Sequence, residues 1–175
     1  PSAETATPLL AHDAGAVIAG PAGSRTVPLA ELFAGPGRVA LAPGELLTAV
    51  CLPAPGAGDG SAYRRLDLRR SVDIAVVGAS AAVRVEGGQI TRARLAIGAV
   101  APTPRRVPEA ERTLAGVPLS EVDPVLDTVA RLCQDAASPI DDVRASAEYR
   151  RAMVAVVVRR ALSAALGRAT RGRSR

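Results

Sequence analysis

The sequence predicts an α+β fold with segregated elements, and three observations carry that prediction. A turn at Glu86-Gly87-Gly88-Gln89 divides two apolar runs, with glycine where a hairpin loop needs a positive φ. Downstream, Val122, Val125, Leu126, Val129 and Leu132 recur at spacings of three and four, as on one face of a helix. Strands therefore precede helices instead of alternating with them, which is the pattern of a small antiparallel sheet covered by helices.

Taken in order, residues 5–11 read as a short helix or turn, 16–19 as a strand, 20–23 as a turn and 26–29 as a short strand. A single helical turn follows at 29–33 and is ended by Gly35-Pro36-Gly37. After a turn at Pro43-Gly44, Leu46, Leu47, Val50 and Leu52 form an extended segment stopped by Pro53. The stretch APGAGDGS (54–61) is small, flexible and unable to bury enough surface to order itself, so the domain boundary is placed there. The stretch YRRLDLRRSVDIAVVGASAAVRV (63–85) begins as a turn crowded with Arg64, Arg65, Asp67, Arg69, Arg70 and Asp73, then becomes apolar. By itself that apolar run fits a buried strand or a small-residue helix. The glycine turn after it, and the alternation of Ile90, Ala93, Leu95 and Ile97 against Thr91, Arg92 and Arg94, select two paired strands with the charged turn at one end of the sheet. Helices are predicted over 109–114, 119–137 and 142–167. The last turns Met153, Val156, Val157, Ala161, Leu162 and Leu166 inward and Arg150, Arg151, Arg159, Arg160 and Arg168 outward, and Asp141-Asp142 caps it.

Bulk properties narrow the function. The chain has 175 residues, enough for one domain or two small ones, and only three aromatic residues, so its core is aliphatic. The net charge of +5 comes largely from Arg168, Arg171, Arg173 and Arg175, read as a solvated basic tail over 168–175. No nucleic-acid-binding motif accompanies it. Cys51 and Cys133 are too few for a disulfide scaffold or a zinc site and read as small core residues. The longest apolar stretch is broken by Arg159-Arg160, so no membrane span is expected. The opening PSAETATPLL has neither an initiating Met nor a signal peptide, and reads as a piece of a longer chain. His12 stands alone as a loop residue, no serine occupies a nucleophile elbow, and the glycine-rich pieces at 20–23 and 56–60 lack the spacing of a phosphate cradle. Spacing alone offers neither a catalytic constellation nor a metal site.

Six collinear blocks extend this reading: PSAETATPLLAHDAGAVI, GSRTVPLAELFAGPG, LAPGELLTAVCLP, YRRLDLRRSVDIAVVGASAAV, LAIGAVAPTPRRVPEAERTLAG and DVRASAEYRRAMVAVVVRRAL. Together they resemble the second half of the FAD-binding (medium) subunit of the xanthine dehydrogenase and carbon monoxide dehydrogenase family of molybdenum hydroxylases. The resemblance implies the end of a PCMH-type FAD-binding domain at 1–54, a linker at 55–61 and the family's C-terminal domain at 62–167. It also implies a cytoplasmic heterotrimer with a molybdopterin-binding large subunit and a 2Fe-2S small subunit. In such an enzyme, electrons from iron–sulfur clusters pass through FAD to an external acceptor such as NAD, quinone or oxygen.

Carried over by position, Ala3 and Glu4 fall beside the flavin, and Leu46 and Leu47 on the segment that packs against its ring. Arg65, Arg69 and Asp73 keep the family's spacing near the flavin, with Arg65 at a position that is commonly lysine in relatives. A cation there would favour the reduced, anionic ring. The structural alternatives are a turn cap for Glu4, ordinary core for the leucines and an ion pair for Arg69 and Asp73. The glycine-rich loops that hold the pyrophosphate would precede residue 1, so residues 1–175 alone are expected to bind FAD weakly or not at all. The reading from a different class is a non-catalytic interaction or scaffold domain with a basic tail.

Overall fold

The computed structural model describes residues 4–69 and 73–171. The chain begins with α1 (Ala6–Ala11), which buries Ala6, Thr7, Leu10 and Ala11. The helix stops at Asp13, whose φ of 51° lies in the left-handed region that Asp tolerates better than most side chains. The Asp13 and Ala14 amides close the end by donating to the Leu10 and Leu9 carbonyls, both at 3.1 Å.

Next comes a three-stranded antiparallel sheet of β1 (Gly15–Gly20), β2 (Gly23–Pro28) and, later in the chain, β5 (Leu46–Cys51), in the order β2-β1-β5. A 3₁₀ turn (Leu29–Leu32) and a two-stranded ribbon of β3 (Phe33–Gly35) and β4 (Arg38–Val39) lie between β2 and β5. Ala14, Ala16, Ile18, Leu29 and Leu32 form its small core. Every residue of β5 is exposed. Cys51 is therefore exposed rather than a core residue, because its strand lies at an uncovered sheet edge.

The second sheet has four antiparallel strands in sequence order: β6 (Asp59–Leu66), β7 (Val77–Glu86), β8 (Gln89–Gly98) and β9 (Arg105–Arg106). The hairpin expected around Gly87-Gly88 is present, with Ser80 opposite Ala96 and a register shift at Arg84/Val85. The strand β6 was not expected. Asp59 to Ser61 fell in the predicted linker and Tyr63 to Leu66 in the charged turn, yet both pair with β7. The linker composition misled because Gly60 is required there: a Cβ would collide with the Ala165 carbonyl and lie 2.8 Å from the Ala169 Cβ. Only glycine lets a helix approach the strand backbone so closely.

Three helices follow: α2 (Pro108–Leu114), with proline in its first turn, α3 (Val122–Asp135), and α4 (Ala147–Arg171), which packs on β6 and β7. The core lies between these helices and one sheet face, carried by Val77, Ala79, Ala81, Val83 and Val85 of β7. The opposite face holds small residues. There Ala96 and Ala82 pack with Leu10 and Ala11, and a Cβ at Gly98 would strike the Thr7 hydroxyl, so α1 seats directly on the sheet. Both faces are thus covered, one by α4 and the other by α1.

The last helix differs from expectation. It starts at Ala147, with Asp141 accepting the Ala147 amide at 2.6 Å and Ser146 the Tyr149 amide at 3.2 Å. Asp142 instead organises the preceding loop, accepting the Arg144 amide at 2.8 Å. Arg150, predicted outward, is only 3% exposed. Its Nη1 donates to the Ala99 carbonyl at 3.2 Å, and its guanidinium pairs with Asp142. Val156, predicted inward, is exposed, while Val154, Val158, Ala165 and Ala169 are buried. Arg168 and Arg171, read as part of a basic tail over 168–175, lie within α4, and Arg168 donates to the Ser61 carbonyl at 2.5 Å; residues 172–175 lie outside the described residues. Among the described residues, no helix is long and apolar enough to cross a membrane.

Candidate functional site

The residues singled out in the sequence separate into two groups. The first gathers where the start of α1 meets β6. Tyr63, Arg65 and Asp67 alternate along the chain at the end of β6, which directs Tyr63 and Arg65 to the face that carries α1. Arg65 lies opposite Gly78, and the Tyr63 hydroxyl would be 2.9 Å from a Cβ at Gly78, so the missing side chain makes room for both.

Arg65 is held from two sides. Its Nη1 donates to Glu4 Oε1 at 2.6 Å and Oε2 at 2.5 Å, and its Nε lies 3.0 Å from Asp67 Oδ2. These contacts raise the guanidinium pKa, first through the Glu4 hydrogen bond, so Arg65 stays charged. Nη2 has no hydrogen-bond partner among the described residues, and the side chain is about one-third exposed. Burial, then the neighbouring Glu4 charge, pushes the Tyr63 phenol up to about 12 and keeps its proton in place. The Arg65 charge is met by two carboxylates, so the cluster presents an oriented N–H donor between acceptors rather than a free cation.

Asp73 shapes the loop. Its Oδ2 accepts the Leu68 and Arg69 amides at 3.0 and 2.9 Å, and its Oδ1 accepts the Ile74 amide at 2.8 Å. Burial acts against the charge, but these backbone hydrogen bonds outweigh it and hold the carboxyl below its usual range. Arg69 reaches Asp73 only at 3.5 Å from an exposed position, so the amides rather than the ion pair fix the carboxylate.

The second group is Leu46 and Leu47, opposite Ala19 and Ile18 at the far end of β1 from α1. They are 69% and 45% exposed. As consecutive strand residues they point to opposite faces, so a flat molecule on one face would meet only one of them. Ala3 lies outside the described residues. Asp67 was placed in the charged turn but not paired with Arg65, and Tyr63 was not singled out. The signal for them was the alternation Tyr63, Arg65, Asp67, legible once 59–66 is read as a strand.

Residues 61–165 match the model of the CO dehydrogenase flavoprotein C-terminal domain, and residues 1–55 that of the FAD binding domain in molybdopterin dehydrogenase. The chain belongs to the CO dehydrogenase flavoprotein family. It is 34% identical over 169 residues to the xanthine dehydrogenase FAD-binding subunit of Escherichia coli O157:H7, covering 96% of this chain and 57% of that one. It is 37% identical over 152 residues to the carbon monoxide dehydrogenase medium chain of Afipia carboxidovorans, covering 87% and 52%. Carbon monoxide dehydrogenase from Hydrogenophaga pseudoflava superposes with a TM-score of 0.88 at 33% identity, over 93% of this chain and 56% of that one. The chain therefore spans little more than half the length of these relatives. Within this flavoprotein fold, the Glu4–Arg65 pair joins the two matched segments, with Glu4 in the first and Arg65 in the second.

Proposed function

We propose that the chain is the latter part of the FAD-binding subunit of a molybdenum hydroxylase, passing electrons from iron–sulfur clusters through FAD to an external acceptor. The observation that carries the reading is the succession of the two flavoprotein matches along one chain, with a partly exposed polar cluster where they meet. On this reading the partners are a molybdopterin-binding large subunit and a 2Fe-2S small subunit, and the complex is cytoplasmic.

The donor set fits the polar edge of a flavin. Arg65 offers an N–H donor, Glu4 keeps acceptor capacity beyond its two bonds to Arg65, and Tyr63 keeps its proton. When bound, FAD supplies the electron-transfer chemistry. Glu4 and Asp67 fix the Arg65 guanidinium, whose Nη2 would be the donor left for the ring edge, and Asp73 accepts the Arg69 amide. One of Leu46 and Leu47 would provide an apolar contact that excludes water.

The test is FAD affinity in the full-length protein that carries this chain, isolated with its partner subunits. Arg65→Gln, which keeps a donor but loses the charge, is expected to weaken FAD binding by roughly tenfold. A flavin-free preparation, or an unchanged affinity in the variant, would overturn the assignment. Residues 1–175 alone, lacking a phosphate cradle, are expected to show no saturation by FAD below about 10 μM.

A further inference from the structure

A second cleft opens at the other end of α1, beside His12 and Asp13 and away from Glu4. Its volume is about 300 Å³. Leu52, Pro53 and Pro55 form one wall, Ala82 and Val83 line the sheet side, and Arg92 stands at the rim. Residues 52–55 are all exposed, so this apolar strap leaves a gap above the sheet instead of collapsing onto it. The strap is also where the first matched segment gives way to the second, and clefts of this kind are common ligand sites.

The charges around the cleft are unevenly committed to one another. Asp59 accepts Arg84 Nε and Nη2, both at 2.8 Å, and the Gly56 amide at 2.7 Å. Arg92 reaches the same carboxylate only at 3.4 Å, so two guanidiniums share one acid that is already committed. Arg94 belongs to a balanced set: with Arg106 it shares Asp13 and Glu111. With Arg84 held by Asp59 and further offset by the Glu86 charge, Arg92 is the least tightly paired guanidinium, beside an apolar wall and about half in solvent.

We propose that this cleft binds a small, flat, largely apolar molecule carrying one anionic group, a carboxylate or a sulfonate, on Arg92. The volume sits at the lower end of the range for small-molecule sites. A guanidinium with uncommitted N–H groups is the natural partner of a planar anion. The site is separate from the Glu4–Arg65 cluster and does not depend on the flavin reading.

The experiment is calorimetric titration of the protein with 2-naphthoate and with its neutral analogue 2-naphthylmethanol, at low salt. Naphthoate is expected to bind about tenfold more tightly than the alcohol. Arg92→Gln should remove that advantage and leave the alcohol unchanged, while Leu52→Gln should weaken both. Both side chains are about half exposed, so the variants are expected to fold, which circular dichroism would check. The proposal is overturned if naphthoate shows no saturable binding below about 1 mM. It is equally overturned if Arg92→Gln leaves naphthoate binding unchanged.

Discussion

Arg150 carries the largest single-residue prediction. Its guanidinium sits in the interior against Asp142, Ala99 and Ala145, so truncation removes the buried charge with its packing, leaves two carbonyls without their donor and leaves Asp142 to Arg144 alone. Arg150→Ala is expected to destabilise the protein by about 3 kcal/mol, read as a lower urea midpoint. Ser80 should behave in the opposite way. Its hydroxyl is buried with no hydrogen-bond partner, so Ser80→Ala is expected to leave stability unchanged or raise it by up to about 1 kcal/mol. Loss of more than about 1 kcal/mol would mean that the hydroxyl is satisfied in solution. The third residue is Asp59. The Arg84 hydrogen bond, opposed by burial and aided by the Gly56 amide, holds its carboxyl at about 2, below its usual 3.8. A depressed pKa stabilises the folded chain above the unfolded value, and the benefit disappears as pH falls from about 4 to about 2. Thermal unfolding followed across that range should show a loss on the order of 2 kcal/mol that is reduced in Asp59→Asn.

Among the elements, legibility tracked how local the determining signal was. The β7–β8 hairpin could be read because its turn glycines and its alternation lie within two dozen residues. For α4 the length was close but the face was wrong. The buried row of Val154, Val158, Ala161, Ala165 and Ala169 differs little in apolarity from Val156, which is exposed, and a helix of alanine and valine gives weak contrast around its circumference. Arg150 could not be placed from the wheel either, since its acceptors are supplied by the loop after β8 and by Asp142. The strand β6 was hidden by glycines that read as linker but serve close packing. The candidate site follows the same rule: Arg65 and Asp73 came from the family pattern, while Tyr63 and Asp67 needed the strand. Gly60→Ala tests the packing claim. The added methyl meets α4 backbone, so a loss of about 2 kcal/mol is expected in thermal or urea unfolding. An unchanged midpoint would show that α4 can move away freely.

The whole molecule is built unequally, and that inequality has a measurable consequence. Among the described residues, the core beneath α4 joins twenty-seven buried apolar residues from β6, β7, β8 and all three C-terminal helices, whereas the core of the first sheet has five. That first sheet leaves β5 exposed along its length and meets the rest chiefly through α1, which rests on Ala96, Ala82 and Gly98. Cooperative protection should therefore be graded. Amides of β7 and β8 are expected to exchange only on global unfolding, and those of β1, β2 and β5 through a lower-energy opening. The grading has a specific control in Gly98, where any Cβ meets Thr7. Gly98→Val should lift α1 and raise exchange in the β1 and β5 amides by at least about tenfold, while β7 amides beyond the contact remain protected. Uniform acceleration across both sheets would mean that the molecule opens as a single unit and that the small sheet draws its stability from sources other than α1.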